Sequence, residues 1–335
     1  MVDQQLLKNF QSQVEQATHI AIFGHDNPDG DAIGSMLGLG RIIEKMEKKV
    51  SYFASPKASK IFDFLPDIEK IQTEFDYSNR YDLIIFVDFS PYARTVFSAG
   101  KYDYFDSKQL IVIDHHIGDT PMHALALKDD KADSNCEWIF ENTKHIWSDY
   151  YDSQIATYLY MGVMTDTGNF QYDKQGDRSL RTAADLVALG ADKQGLTRHF
   201  FGTLQIEQLQ FFNTVFPRLV QHGPIGYVYF TPEDYLPLGL DKEQAGGYLT
   251  AILQKIPGLD LILICRGEDN TIKISLRSKN PAMSAQKVAE SLGGGGHFYA
   301  SGAKIELEPG EDPLERLESL VQSIPSLLSY PKKSS

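Results

Sequence analysis

Residues 19–35 read HIAIFGHDNPDGDAIGS, and their interpretation decides the rest. The apolar run Ile20 to Phe23 stops at Gly24, and one histidine and three aspartates follow within seven residues. A run this short, rich in isoleucine and phenylalanine and broken by Gly24 and Pro28, predicts a core strand. The apolar periodicity that resumes after Asp31 predicts a helix from about Ala32 to Glu47. Asp31 then stands near a helix N-terminus, with His25 and Asp29 in the loop before it. In an open α/β sheet, ligands bind in the crevice beyond the carboxyl ends of the strands, where this loop would lie. A solvated Asx-rich turn capping the helix accounts for the same residues. An EF-hand does not: aligning Asn27, Asp29 and Gly30 on its loop puts Met36 where a bidentate glutamate is required.

The same device recurs downstream. After a strand expected at Val50 to Ala54 and a short helix at Lys57 to Phe64, the run Leu83 to Val87 is wholly apolar and rich in β-branched residues. That pattern predicts a central parallel strand covered on both faces, and it ends in Asp88. QLIVIDHH, residues 109–116, ends in Asp114, His115 and His116. Buried carboxylates and imidazoles are costly unless paired, hydrogen-bonded or metal-bound, so three apolar strands ending this way point to a site. Helices are expected at Ser134 to Ile146 and Ser153 to Met164, the second apolar nearly all round and therefore buried. It leads into TDTGNF, which puts Asp166 at a helix end. Further helices are expected at Asp177 to Leu189 and Ile206 to Gln221.

Length and composition set the frame. The 335 residues suit two domains. The break at His222-Gly223-Pro224 predicts the boundary, with residues 1–205 as one domain, 206–222 as a linker helix and 223–330 as the second. In the second, IGYVYF, LDLILICRG and TIKISLRS read as strands, with Glu268 to Asn270 turning a hairpin. A helix from Ser284 to Leu292 precedes Gly293 to Gly296 and His297. Cys136 and Cys265, the only two cysteines, lie in no ligand spacing and fit a reducing cytosol. No apolar stretch approaches the ~18 residues that span a bilayer, so no membrane partner and a cytoplasmic location are expected. A formal charge of −13 weighs against wrapping long nucleic acid, yet a short anionic substrate is admissible where bound dications reverse the local field.

His25, Asp29, Asp31, Asp88, His115 and Asp166 form a ligand set without sulfur, which favours hard to borderline cations such as Mn²⁺ or Mg²⁺. Four aspartates and two dications nearly cancel, so an anionic phosphate could approach. Six ligands for two ions require one carboxylate to be shared. Two ions about 3.5–4 Å apart would activate a water and clamp the attacking and leaving oxygens at phosphorus.

GHDNPDGDAIGS, VDFS, DHH and TDTGNF, in that order, resemble the motifs of the DHH phosphoesterase family. SLRS followed by GGGGHFYASGA resembles its DHH-associated C-terminal domain, so the likeness runs from His25 to Ala303. It implies an α/β fold: an N-terminal domain with a mostly parallel sheet flanked by helices, and a smaller C-terminal α/β domain with a mixed sheet. It also implies two Mn²⁺ per site, with Mg²⁺ as a substitute, one ion held by His25, Asp29 and Asp88 and the other by Asp31, Asp88, His115 and Asp166. Asp88 would bridge, His116 would face the scissile phosphate as a catalytic and substrate-binding group, and Asp114 would support it. Arg277, Ser278, Gly294, Gly295, Gly296 and His297 would hold the nucleotide. An arginine fork and a run of glycine amides suit a phosphate, although a flexible linker explains the glycines too.

The size and two-domain layout look most like the nanoRNase and pAp-phosphatase branch. That resemblance implies hydrolysis of short RNA or DNA oligonucleotides and of 3′-phosphoadenosine 5′-phosphate (pAp), and a homodimer is admissible. If metals on the first domain hold the scissile phosphate while Arg277 and His297 hold the far end, the cleft between the domains is expected to act as a ruler for length. A cyclic- or linear-dinucleotide phosphodiesterase stays open. A non-catalytic nucleotide-binding regulator is the reading from another class, and it gives no reason to keep so costly a carboxylate cluster.

Overall fold

The run at 20–23 forms a strand, and that strand lies in the middle of a sheet. The computed structural model of the chain describes residues 3–89, 97, 102–116, 120, 123–172, 176–202, 205–296 and 298–328. The chain divides into two units, Met1–Gly202 and Thr203–Ser335. The first runs α1 (Gln4–Gln16), β1 (His19–Phe23), α2 (Gly30–Lys45), β2 (Lys49–Phe53), β3 (Ile71–Gln72), β4 (Leu83–Val87), α3 (Tyr102–Asp106), β5 (Gln109–Asp114), β6 (Leu125–Lys128), α4 (Asn135–Thr143), α5 (Ser153–Asp166), α6 (Arg178–Ala188) and α7 (Lys193–Phe201).

Its strands lie in the order β3-β2-β1-β4-β5-β6, all parallel. Alternate residues go to opposite cores: Ile20 and Ile22 of β1 and Leu83, Ile85 and Val87 of β4 join the core containing α2 and α5. Ala21, Phe23, Ile84 and Phe86 join an aromatic core with Phe53 and Phe105. Burial on both faces is why these strands read as unbroken apolar runs. Strand β1 has β2 on one side and β4 on the other, so the order of connection reverses there. The crevice at the carboxyl ends of β1 and β4 follows from that reversal.

Several expected elements differ. Only a 3₁₀ turn, Lys60–Phe62, forms where a helix was expected at 57–64. Pro56 and Pro66 bound the segment, and a residue before proline disfavours the α region. The helix begun at Ser134 ends at Thr143, with the Ser134 side chain as its cap. The next one runs past Met164, making Asp166 its last residue. Strand β6 and helix α7 were not anticipated, the strand being four residues long.

The second unit contains α8 (Ile206–Val215), β7 (Val220–His222), β8 (Ile225–Phe230), α9 (Pro232–Tyr235), α10 (Lys242–Leu253), β9 (Leu261–Glu268), β10 (Thr271–Ser278), α11 (Ala285–Ser291), β11 (Gly295–Gly296), β12 (Ala300–Glu306) and α12 (Pro313–Leu327). Its sheet, β11-β12-β10-β9-β8-β7, is mixed, with β8 and β9 parallel and the other neighbours antiparallel. Helix α8 stops at Val215 because Pro217 follows in a 3₁₀ turn. It is not a linker: Phe211, Phe212 and Val215 are buried with Val228, Phe230 and Leu249 of its own unit. The Gly223-Pro224 break is instead the turn of a hairpin, in which His222 pairs with Ile225 and Gly223 has a φ of 57°. Among the described residues no helix is long and apolar enough to cross a membrane.

Helices α2 and α5 pack closely enough to require glycine. A Cβ at Gly34 would lie 2.5 Å from the Tyr158 carbonyl oxygen and 2.9 Å from Cys136 Sγ. Alanine in a helix interior is otherwise about 1 kcal/mol better than glycine. Since a backbone carbonyl cannot yield as a side chain does, Gly34→Ala is expected to reverse that sign and destabilise the protein by about 1–3 kcal/mol. Urea unfolding of the variant would measure it, and a gain in stability would contradict the close approach.

Candidate active site

The loop after β1 leads directly into helix α2. Asp29 caps that helix, its Oδ1 accepting from the Asp31 N–H at 3.0 Å and the Ala32 N–H at 3.1 Å. His25 Nδ1 lies 2.9 Å from the Asp26 carbonyl oxygen, which fixes a proton on Nδ1 and aims Nε2 at Asp29 Oδ1 (3.6 Å) and Asp88 Oδ2 (3.5 Å).

Asp88 follows β4 in a left-handed conformation, φ 53°, and its N–H donates to the Ile113 carbonyl of β5 at 3.0 Å. Its Oδ2 faces His25. Its Oδ1 faces His115 Nε2 at 3.5 Å and His116 Nδ1 at 3.4 Å. His115 is buried, and its Nε2 also stands 3.7 Å from Asp31 Oδ2 and 3.5 Å from Asp166 Oδ2. The other ring nitrogen is 3.3 Å from the Ala132 carbonyl oxygen. Asp114, wholly buried at the end of β5, accepts from the His116 N–H and lies 3.0 Å from His116 Nδ1, with Lys128 Nζ at 3.4 Å from its second oxygen. His116 itself is half exposed.

All eight first-unit positions expected at the site therefore meet in one place. Their donor atoms fall into three overlapping groups, each within 4.8 Å: His25, Asp29 and Asp88; Asp31, His115 and Asp166; and Asp88, His115 and His116. Those groups could hold metal ions. Asp88 Oδ1 and His115 Nε2 are buried and have no hydrogen-bond partner among the described residues, and their separation is too long for one. Two donors each about 2.1 Å from a shared ion stand roughly 3 Å or slightly more apart, so the spacing fits a cation between them. Nitrogen and oxygen donors without thiolates agree with that fit.

The electrostatics follow from crowding these groups together. Burial, then Asp88 and Asp166, pushes Asp31 well above the usual carboxylate range. Burial also acts on Asp88, but the three imidazoles overcome it and hold this carboxyl well below its ordinary value. Asp166 is pushed up to about 6 by burial, with Asp88 adding to the effect. Burial opposes protonation of His25, yet Asp29 and Asp88 raise it to about 11. Asp114 and Asp88 raise His116 to about 10. For His115 the opposition of burial is again outweighed, by Asp88, Asp31 and Asp166, giving about 9.

In the second unit Arg277 is half-buried on β10, and one of its Nη1–H groups donates to the Leu276 carbonyl at 2.9 Å. No carboxylate stands within ion-pair distance of it among the described residues, and burial alone lowers its pKa. Ser278 is buried and its hydroxyl donates to the Asn280 carbonyl at 3.0 Å. The glycine run is a paired segment, not a linker: Gly295 pairs with Gly302 and Gly296 with Ser301. A Cβ at Gly294 would meet the Gly302 carbonyl oxygen. His297 lies outside the described residues. Lys128 beside Asp114, and the N-terminus of α4 beside Asp31, were not anticipated. Ser134, an N-cap residue type, was the available signal for the latter.

The DHH family, N-terminal domain, matches residues 19–163, and the DHHA1 domain matches residues 226–328. The bifunctional oligoribonuclease and PAP phosphatase NrnA of Thermus thermophilus is 27% identical over 306 residues, covering 90% of this chain and 87% of that protein. The protein of the same name from Bacillus subtilis is 27% identical over 291 residues, covering 85% and 89%. A crystal structure of an exopolyphosphatase-related protein from Bacteroides fragilis superposes with a TM-score of 0.86 at 24% identity, covering 98% of each chain, and has the same fold.

The raised imidazoles give a pH signature. A histidine with a folded pKa above its ordinary 6.5 contributes stability that is complete below 6.5 and lost as pH rises through the folded value. In excess chelator, the melting temperature should therefore fall from pH 6.5 upward, through about 9 for His115 and on towards about 11 for His25. Thermal scans at stepped pH would check this, with His25→Asn and His115→Asn flattening the slope. A melting temperature that rises over that interval would contradict the assignment.

Proposed function

The chain belongs to the DHH family, with a DHHA1 domain after its DHH domain, and from that membership we propose that it is a two-metal phosphoesterase acting on short oligonucleotides and pAp. The observation that carries this reading is Asp88, whose two oxygens face different imidazoles in a buried cluster. One ion would be held by His25, Asp29 and Asp88, and the second by Asp31, Asp88, His115 and Asp166, with Asp88 shared. Mn²⁺ is the proposed ion and Mg²⁺ its substitute. When bound, the pair would polarise the phosphoryl oxygens and make an attacking water acidic enough to react near neutral pH.

The chain's own groups do the rest. Asp114 holds His116 by its Nδ1, leaving Nε2 of a half-exposed, positively charged ring available to a phosphate oxygen. Asp88 follows β4 in a left-handed conformation at the crevice, where the loop after β1, the end of β5 and helices α2 and α5 would supply the other ligands. Arg277, charged and without a carboxylate partner among the described residues, suits a nucleotide phosphate. Gly294, Gly295, Gly296 and His297 are proposed to share that contact. Ser278, occupied by its own turn, is proposed to shape the strand end beside Arg277. The names of the two relatives support the substrate class. The charge of −13 supports short chains, since little basic surface remains to follow a longer backbone. We place the enzyme in the cytoplasm, where both thiols stay reduced.

An assay panel with Mn²⁺, comparing pAp, RNAs from dimers to long oligomers, cyclic dinucleotides and pyrophosphate, tests the assignment; turnover confined to pyrophosphate or long RNA would overturn it. Asp88→Asn keeps size and removes charge. It is expected to lose metal and nearly all turnover on every substrate, while Asp114→Asn falls by about 10- to 100-fold. Arg277→Ala should bind metal normally yet lose about 1.5–3 kcal/mol in kcat/KM on pAp and dinucleotides. A generic ester such as bis-p-nitrophenyl phosphate should be much less affected. Equal losses on nucleotide and ester would make Arg277 a bracing residue instead.

A further inference from the structure

Asp31 differs from the other acids of the cluster in how it is held. The side chain is 1% exposed, and both of its oxygens are engaged from behind by consecutive backbone amides at the start of α4. The Asn135 N–H reaches Oδ2 at 2.6 Å and the Cys136 N–H reaches Oδ1 at 2.9 Å. The Asn135 side chain, wholly buried, donates from Nδ2 to Ser35 Oγ at 3.0 Å, and Ser35 stands one turn along α2 from Asp31. Ser35 Oγ lies 3.3 Å from Cys136 Sγ, which approaches the Asp31 carbonyl oxygen at 3.5 Å. A closed ring of contacts thus ties α4 to α2 around this one carboxylate. On a third side, a Cβ at Gly162 of α5 would lie 2.7 Å from Asp31 Oδ1, so only glycine there leaves space for the carboxylate.

A carboxylate offers about four lone-pair sites, two on each oxygen. Adjacent amides of one helical turn, one per oxygen, take the pair of sites that face in a common direction. The sites left over point apart, and a single ion cannot use both. Small octahedral cations accept one oxygen from a carboxylate, whereas Ca²⁺ commonly takes both and needs more oxygens than this histidine-containing set supplies.

We propose that Asn135 and Ser35 are positioning residues that lock Asp31 as a one-oxygen ligand and so make the site discriminate against Ca²⁺ in favour of Mn²⁺ or Mg²⁺. This rests on the two-metal reading above. Asn135 and Ser35 belong to neither of the two proposed ligand sets. They act by fixing the register of α4 against α2, on which the two amide contacts depend.

The test is binding, not turnover. Purified chain, freed of metal by chelator and dialysis, is titrated with Mn²⁺ while the free ion is followed by electron paramagnetic resonance, and Ca²⁺ is then used as competitor. Wild type is expected to prefer Mn²⁺. In Asn135→Ala and Ser35→Ala, Mn²⁺ affinity should fall by about 10- to 100-fold. Ca²⁺ affinity should fall less, shrinking the preference by about tenfold or more. Melting in chelator is measured alongside, because loss of the Asn135 contact also loosens the fold. Should Asn135→Ala fail to fold, Ser35→Ala, which removes one oxygen atom, decides alone. An unchanged Mn²⁺-to-Ca²⁺ ratio in Ser35→Ala, whatever its melting temperature, overturns the proposal, as does a wild-type chain that binds the two ions equally. A wild-type chain that takes up no Mn²⁺ at all overturns the metal reading itself, and that result appears before any variant is made.

Discussion

Asp88 and His115, both buried, face each other at 3.5 Å, each with a polar atom that no hydrogen bond satisfies among the described residues. Much of the first unit can be understood as the means of holding that pair, with Asp31 and Asp166, in place. Leaving such groups buried and uncompensated is expensive. Without a cation the three imidazoles retain protons that their free counterparts would lose, which is how the cluster neutralises itself. A divalent ion at the proposed sites would have to displace the protons of His25 and His115, so the affinity for metal and the pH of the medium would be linked.

The parallel sheet makes the crowding feasible. Its central strands are buried on both faces, which makes the scaffold stiff, and their carboxyl ends open together where the connections reverse around β1. The clustered side chains therefore arrive from several strand ends, loops and helices that are each fixed by packing. Asp166 comes from a helix with nine of its fourteen residues buried, and Asp29 doubles as the cap of the helix that carries Asp31. The same groups serve the local fold and the site, so a change in one is felt in both.

The second unit is built differently. Its sheet is mixed and carries no comparable cluster of acids and histidines among the described residues. Arg277 has no carboxylate partner among the described residues and lies on a strand that pairs with the neighbour of a glycine segment. Close approach of Gly294 to the Gly302 carbonyl explains why side chains are excluded there.

The sequence by itself determined the strands that end in acids, because a strand buried on both faces must be apolar throughout and any charge at its end is then conspicuous. Asp88, Asp114, His115 and His116 were legible for that reason, and His25, Asp29 and Asp31 as the residues that follow the first such strand; Asp166, at the end of a helix, carried no such signal and was legible only within TDTGNF. Short or weakly patterned elements were not: strand β6 is four residues long, and the hairpin at Gly223 reads like a boundary because turns and linkers share a composition. Only the tertiary structure decided that α8 belongs to the second core, since burial of Phe211 depends on partners such as Val228 and Leu249 that are distant in sequence. It alone decided the orientation of Asp31 as well. That carboxylate is held by backbone amides and by Asn135 and Ser35, and a contact made by an N–H group, which every residue but proline has, leaves no mark in the order of side chains.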